Sequence, residues 1–349
     1  MTRRPKIWCG FADKGTLNSA RGDGIGEMRI LQMLSHFADV YYNGVPIQRG
    51  GQSFGFGETL ALPRDEYDLY YVRANNTLFA KLPHPKICMA YPYDEEIFSM
   101  ADGLVVTTDI WKRILINPSF QNIFLDFFSK WYPNNFETSK PIIQFKQAID
   151  PSFASTAATD QGRNAWKFKL TNTDVFGFYG RLDKSSLPYS VMKAADADRR
   201  ILLAFAGRIR NDLKSEKTVF SRHIYLGEVP YDKMPHLIRA TACTLAGESC
   251  DDDVLGSNKV LDSICLGVPV ICKRNPVRNE YLGPEYLGLF DDQDHAAELL
   301  GLFVSDRTYR RKIFEQTGAA AHQNSMTDAA AFTCDQIDAF FAQIGVRGD

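Results

Sequence analysis

From residue 175 onward, strand-length apolar runs alternate with segments of helical spacing, and this alternation limits the folds open to the chain more than any other feature. Val175–Tyr179, Ile201–Ala206, Ile224–Leu226, Cys243–Leu245 and Val268–Cys272 read as strands, with helical patterns at Leu187–Asp196, Met234–Ala240 and Asn258–Leu266 between them. Strands separated by enough chain for a helical crossover pair in parallel, so the alternation predicts an α/β sheet. The amino-terminal half repeats it more loosely. Lys6–Phe11 reads as a strand, followed by a polar loop, a helix over Ile25–Phe37 and a strand over Ala38–Tyr42. Leu69–Val72, Ile87–Ala90 and Leu104–Thr107 are further strand candidates, so two Rossmann-like halves are expected.

Length agrees with that division. A single hydrophobic core stops growing efficiently well below 349 residues, so two cores and a cleft are predicted. The expected boundaries are 1–150 for the first domain, 151–173 for a linker rich in small polar residues, and 174–325 for the second domain. The last segment, 326–349, reads as a docking helix over Thr327–Ile344, with Thr327 as N-cap and Ala331, Cys334, Ile337, Phe340 or Phe341 and Ile344 on one face.

Charge and cysteine usage exclude several functions. Forty Lys and Arg against 42 Asp and Glu leave a net charge of −2, no footprint for a nucleic-acid backbone, so any anion site must be local. No run approaches the roughly 20 apolar residues of a transmembrane helix, and Met1–Gly10 lacks the features of a signal peptide. The seven cysteines contain no C-x-x-C pair. Cys243, Cys250, Cys265 and Cys272, spaced by 7, 15 and 7 residues, could be read as metal ligands, but Cys243, Cys265 and Cys272 lie in apolar surroundings where a thiol serves as a small hydrophobe. Reduced thiols and a cytoplasmic setting are therefore expected.

Ordered pieces of the second half resemble the GT-B glycosyltransferases, and among them the retaining family-4-like enzymes that use nucleotide-sugar donors. Phe176-Gly-Phe-Tyr-Gly-Arg-Leu182 resembles that family's strand ending in Gly-Arg-Leu, and Leu202–Gly207 its next strand and glycine. Tyr225-Leu-Gly-Glu-Val-Pro230 looks like its Leu-Gly turn, and Asn258–Ile271 its acidic-residue helix ending in Gly-x-Pro-Val-Ile. Upstream, Gly22-Asp-Gly-Ile-Gly26 sits where the family has its first glycine-rich loop, Ala101–Thr108 resembles its "ADxxxxxS/T" strand, and Ile142–Phe153 its approach to the linker. The resemblance implies two Rossmann-like domains facing across a cleft, with the carboxy-terminal helix returning to the first. It also implies transfer of a hexosyl-type sugar, with retention, from a nucleoside diphosphate sugar to a glycan, lipid-linked or other hydroxyl acceptor. By analogy the setting is bacterial polysaccharide or glycoconjugate assembly, and no metal or cofactor is expected.

The same resemblance, weighed against each residue's chemistry, names a site. Arg181 follows a strand end and a glycine, where a guanidinium can hold two phosphate oxygens against the alternative of a surface ion pair, and Lys184 is a second cation in a shortened loop. Asp262 stands where the family's second signature Glu accepts from the ribose. The first acid of that signature is displaced, because Val254 occupies its position. Glu248 or one of Asp251, Asp252 and Asp253 either reaches the donor sugar or belongs to a solvated acidic loop. Ser257 and Asn258 open the same helix, and Lys259 either pairs with Asp262 or reaches the phosphates. Gly24 and Gly26 are expected in a loop whose backbone approaches the reacting groups, although Glu27 breaks any G-x-G-x-x-G fingerprint.

The family's first-domain His is missing, and Tyr91, Tyr93, Asp94 or Glu95 are the acceptor-side candidates, with His84 read as structural. Trp111–Trp131 is apolar at helical spacing and either fills the core or meets the inner face of a membrane peripherally. Two other readings remain: a GT-B epimerase or phosphorylase, and a degenerate GT-B domain that only binds nucleotide or glycan.

Overall fold

The structure is a computed structural model that describes residues 3–11, 22–42, 45–47, 63, 66–73, 76–134, 136–149, 151–157, 173–213, 221–247 and 253–346. The chain divides into two compact units, Met1–Ala148 with Ser325–Asp349, and Ile149–Asn324.

Unit 1 holds a seven-stranded sheet of β1 (Lys6–Phe11), β2 (Asp39–Tyr42), β3 (Val45–Pro46), β4 (Leu69–Arg73), β5 (Lys86–Met89), β6 (Gly103–Val106) and β7 (Ile142–Gln144). Its order is β3-β2-β1-β4-β5-β6-β7, and every pairing is parallel except β2 with β3. β4, β5 and β6 are buried along nearly their whole length, as strands covered on both faces must be.

The final helix, Met326–Gln343, packs on the helix Gly22–Leu34 and on β7 within this unit. Burial of Ile337, Phe340 and Phe341 contributes on the order of 1.5–3 kcal/mol each. Ser325, not Thr327, is its N-cap and accepts from the Asp328 amide, and Ala331 is exposed because the buried stripe starts from Met326. At the start of β6, a Cβ on Gly103 would come 2.9 Å from the Phe340 ring, so this glycine lets the helix close on the sheet.

Unit 2 holds β8 (Asp174–Tyr179), β9 (Ile201–Ala206), β10 (Ile224–Tyr225), β11 (Cys243–Leu245), β12 (Val270–Lys273) and β13 (Leu289–Phe290), all parallel, in the order β10-β9-β8-β11-β12-β13. Counted within the unit this is 3-2-1-4-5-6, the order of dinucleotide-binding sheets. Pro151–Ala157, read from composition as linker, form a helix whose Phe153 is buried with Tyr179, Leu237 and Ile238. Apolar burial overrides small-polar composition there.

Candidate functional site

In open parallel sheets, ligands bind beyond the carboxyl ends of the strands where the order reverses, which in unit 2 lies between β8 and β11. Two glycines shape that edge. Gly180, at φ +115°, ends β8, and a Cβ there would lie 2.7 Å from Cε of Lys259. Gly207, at φ +146°, follows β9, and a Cβ there would lie 1.7 Å from the Gly180 carbonyl oxygen. The two strand ends therefore approach each other more closely than any side chain permits, and Gly180 leaves room for the end of the Lys259 side chain, which rises from the first turn of the helix Asn258–Cys265.

Lys259 uses this space. Its ammonium lies 4.6 Å from the centroid of the Phe178 ring, beside Gly180, so the structure brings Lys259 together with the strand end that carries Arg181. Arg181 is half exposed and its Nε contacts Asp183. Burial by itself would raise the Asp183 pKa, but hydrogen bonds from Ser186 and Ser185 and the Arg181 charge outweigh it and hold the carboxyl below its ordinary value. Ser185 donates to Asp183 Oδ1 at 2.8 Å. Asp183 thus orients the guanidinium while leaving much of it in solvent. Lys184 is exposed, and its backbone N–H donates to Asp212 Oδ2 at 3.0 Å.

One turn further along the helix, Asp262 is buried and accepts from the Tyr231 hydroxyl at 3.4 Å. Tyr231 in turn stacks on Phe153, with centroids 5.1 Å apart and planes at 27°. Ser257 precedes the helix in extended conformation and is buried, but its side chain makes no capping bond. Asn258 is the first helical residue. Asp253 accepts from Asn275 Nδ2 at 2.7 Å, which ties it to a buried neighbour. Glu248, Asp251 and Asp252 lie outside the described residues.

In unit 1 the expected glycine loop is corrected. Gly24 and Gly26 stand inside the helix Gly22–Leu34 rather than ahead of it. Gly24 lies in the first turn, and Gly26, beyond it, is committed to the helix ladder. Asp94 caps the helix Glu95–Met100 by accepting from Ile97, Glu95 is exposed in its first turn, and Tyr93 packs against Phe98 and Phe136. His84 pairs with Asp102 at 2.7 Å.

Trp111–Trp131 falls in three short helices, Asp109–Ile116, Pro118–Ile123 and Leu125–Trp131. Trp111, Phe127 and Phe128 are buried, and Ile116, Ile123 and Leu125 are exposed.

Sequence reasoning singled out Gly207 as the glycine after its strand but gave no role to Phe178 or Tyr231 at the unit 2 edge. It also missed an acid and base at the carboxyl edge of unit 1, Glu27 and Arg73, 3.6 Å apart. No sequence signal marked those two rings, and none marked the pair.

Solved structures match the chain almost end to end. Sucrose-phosphate synthase from Thermosynechococcus elongatus aligns with a TM-score of 0.67 at 12% identity over 97% of this chain and 100% of that one. HepE of Anabaena, in complex with UDP and glucose, aligns with a TM-score of 0.63 at 12% identity over 96% of this chain and all of its own. The fold is GT-B. A third GT-B structure, α,α-trehalose 6-phosphate synthase from Burkholderia multivorans, gives a TM-score of 0.57 at 13% identity over 98% of this chain and 100% of that one. No protein-family model and no curated protein sequence matches the chain. Among the described residues of this GT-B chain, no helix is long and apolar enough to cross a membrane.

Proposed function

We propose that this GT-B protein is a glycosyltransferase that takes a sugar from a nucleoside diphosphate sugar held at the carboxyl edge of unit 2 and passes it to a hydroxyl acceptor held by unit 1. The observation that carries this reading is Gly180. Its missing side chain lets Lys259 lie against the end of β8 beside Arg181, which assembles two cations at the strand-order reversal. The solved structures of HepE with UDP and with UDP-glucose support a donor of this class.

In this proposal Arg181, Lys184 and Lys259 hold the diphosphate, and the amino end of the helix at Ser257 and Asn258 adds its partial positive charge. Asp262, steadied by Tyr231, accepts from the ribose, and Glu248 approaches the donor sugar. Transfer proceeds with retention. The bond from the anomeric carbon to the diphosphate oxygen breaks, the acceptor oxygen bonds to that carbon on the same face, and its proton passes to the departing phosphate. The protein stabilises developing charge on the leaving group, a task for preorganised cations that requires no metal.

A thermal-shift panel with UDP, GDP, ADP, dTDP and CMP, with and without EDTA, tests this. One diphosphate at about 100 times its dissociation constant should add roughly 2.7 kcal/mol of stability. That shift should survive EDTA and fall to about 1 kcal/mol in Arg181→Ala, and donor turnover should release the same nucleotide. No shift with any nucleotide would sink the proposal.

A further inference from the structure

The carboxyl edge of the unit 1 sheet has its own order reversal, between β1 and β4. Arg73 ends β4 in register with Phe11, the last residue of β1, and therefore stands at that point. Its side chain is 14% exposed, and Nη1 lies 3.6 Å from Oε2 of Glu27, whose side chain is 1% exposed. Tyr71, on the same strand, donates its hydroxyl to that oxygen at 3.2 Å. Burial, reinforced by the neighbouring Glu27, pushes the Tyr71 hydroxyl and the Cys9 thiol up, so both keep their protons.

Arg73 also faces aromatic surface. The guanidinium carbon lies 6.0 Å from the Tyr91 ring centroid, and Trp131 meets Tyr91 edge-on at 4.6 Å and 74°. Both rings are half-buried. Tyr91 is backed by Trp111 at 6.3 Å, and the Trp111 indole N–H donates to the Tyr132 hydroxyl at 2.9 Å. Lys130 lies over Trp131 at 4.9 Å and is exposed.

We propose that Arg73, Tyr91 and Trp131 form the acceptor subsite and that its ligand is an uncharged sugar ring rather than a sugar phosphate. This rests on the glycosyltransferase reading of the chain. The buried Glu27 carboxylate balances the Arg73 guanidinium, so Arg73 offers N–H donors to hydroxyls with little net charge to attract an anion, and the Lys130 ammonium over Trp131 stands in solvent where water and salt screen it. A phosphate there would compete with Glu27 for Arg73 and be repelled by it. The Tyr91 and Trp131 rings supply the apolar surface that the C–H face of a pyranose can cover, and Trp111 and Tyr132 fix them from behind.

Calorimetric titration of the full chain with methyl α- and β-glycosides of glucose, galactose, mannose and N-acetylglucosamine, and with the 6-phosphates of the same sugars, tests the assignment. At least one neutral glycoside should bind saturably, about tenfold more tightly than its 6-phosphate. Trp131→Ala should weaken it about tenfold, and Trp131→Phe much less. Glu27→Gln, which keeps an acceptor for Tyr71 but unbalances Arg73, should move the preference about tenfold toward the 6-phosphate, a change that a purely structural role for Glu27 would not produce. Binding of no glycoside, tighter binding of the phosphates by the unaltered chain, or indifference to Trp131→Ala would each overturn the proposal. The nucleotide-induced thermal shift is read separately in the same variants. Its loss in the unaltered chain marks failure of the donor reading, and its presence without glycoside binding marks failure of this one.

Discussion

Both units reverse their strand order beside the first strand, yet the two carboxyl edges are furnished by opposite means. In unit 2 the edge consists of absent side chains and half-exposed charge: Gly180 and Gly207 bring backbones together, and Arg181 is held by Asp183 while half in solvent. In unit 1 the corresponding edge is filled. Glu27 and Arg73 form a largely buried pair, and aromatic rings close around it. An edge stripped to backbone with solvent-facing cations suits a polyanion, which needs close approach and charge. A ring-lined edge with balanced charge suits a ligand with an apolar face and neutral hydroxyls. One topology therefore supports two recognition chemistries, and the difference lies in the residues at the carboxyl end of each strand.

Four measurements can break or sharpen that contrast. The largest effect is expected from Gly207→Ala, where the new methyl would sit 1.7 Å from a backbone oxygen at a φ that L-residues avoid. Urea unfolding should show a loss of about 4 kcal/mol or more. Gly103→Ala in unit 1 meets a phenyl ring at 2.9 Å instead, and should cost about 1–3 kcal/mol. Equal losses would mean that the unit 2 edge is no tighter than an ordinary helix contact.

Next comes the comparison of the two ion pairs. Glu27→Ala leaves the 14%-exposed Arg73 without its buried partner and should lose about 3 kcal/mol of folding stability. Arg181→Ala removes a residue whose side chain is 51% exposed and should lose less than about 1 kcal/mol. Were Arg181→Ala the more destabilising change, Arg181 would be structural and the donor reading would weaken.

Smaller again is the binding effect of Arg181→Ala. Loss of a charge-assisted contact should weaken the diphosphate that shifts the melting temperature by about 2 kcal/mol, measured by calorimetry, while glycoside binding at unit 1 stays unchanged.

The smallest effect is the acid dependence of Asp183. Its folded pKa is depressed, so its contribution is complete above the ordinary aspartate range near about pH 4 and is lost as pH falls through the lower folded value. Asp183→Asn should flatten the fall in melting temperature over that acid window and nowhere else. An unchanged acid slope would show that Ser185, Ser186 and Arg181 do not hold the carboxylate as described.

The chain's own periodicities determined the order of strands and helices. β1, β9 and β11 occupy the residues that apolar runs mark, β2, β4, β5, β6, β8, β10 and β12 differ by a residue or two at their ends, and the short β3, β7 and β13 were not read as strands. Such signals are local, since side-chain alternation and helical spacing are properties of a short stretch. The Gly-Arg strand end was legible through its resemblance to a family motif, which is also a pattern within one short stretch. Tertiary structure decided the rest. Pro151–Ala157 became a helix because Phe153 found a core. Glu27 met Arg73 only because β4 lies beside β1, on the side opposite β2. Which strand ends become neighbours depends on packing across the whole sheet, and no residue pattern within one segment encodes it.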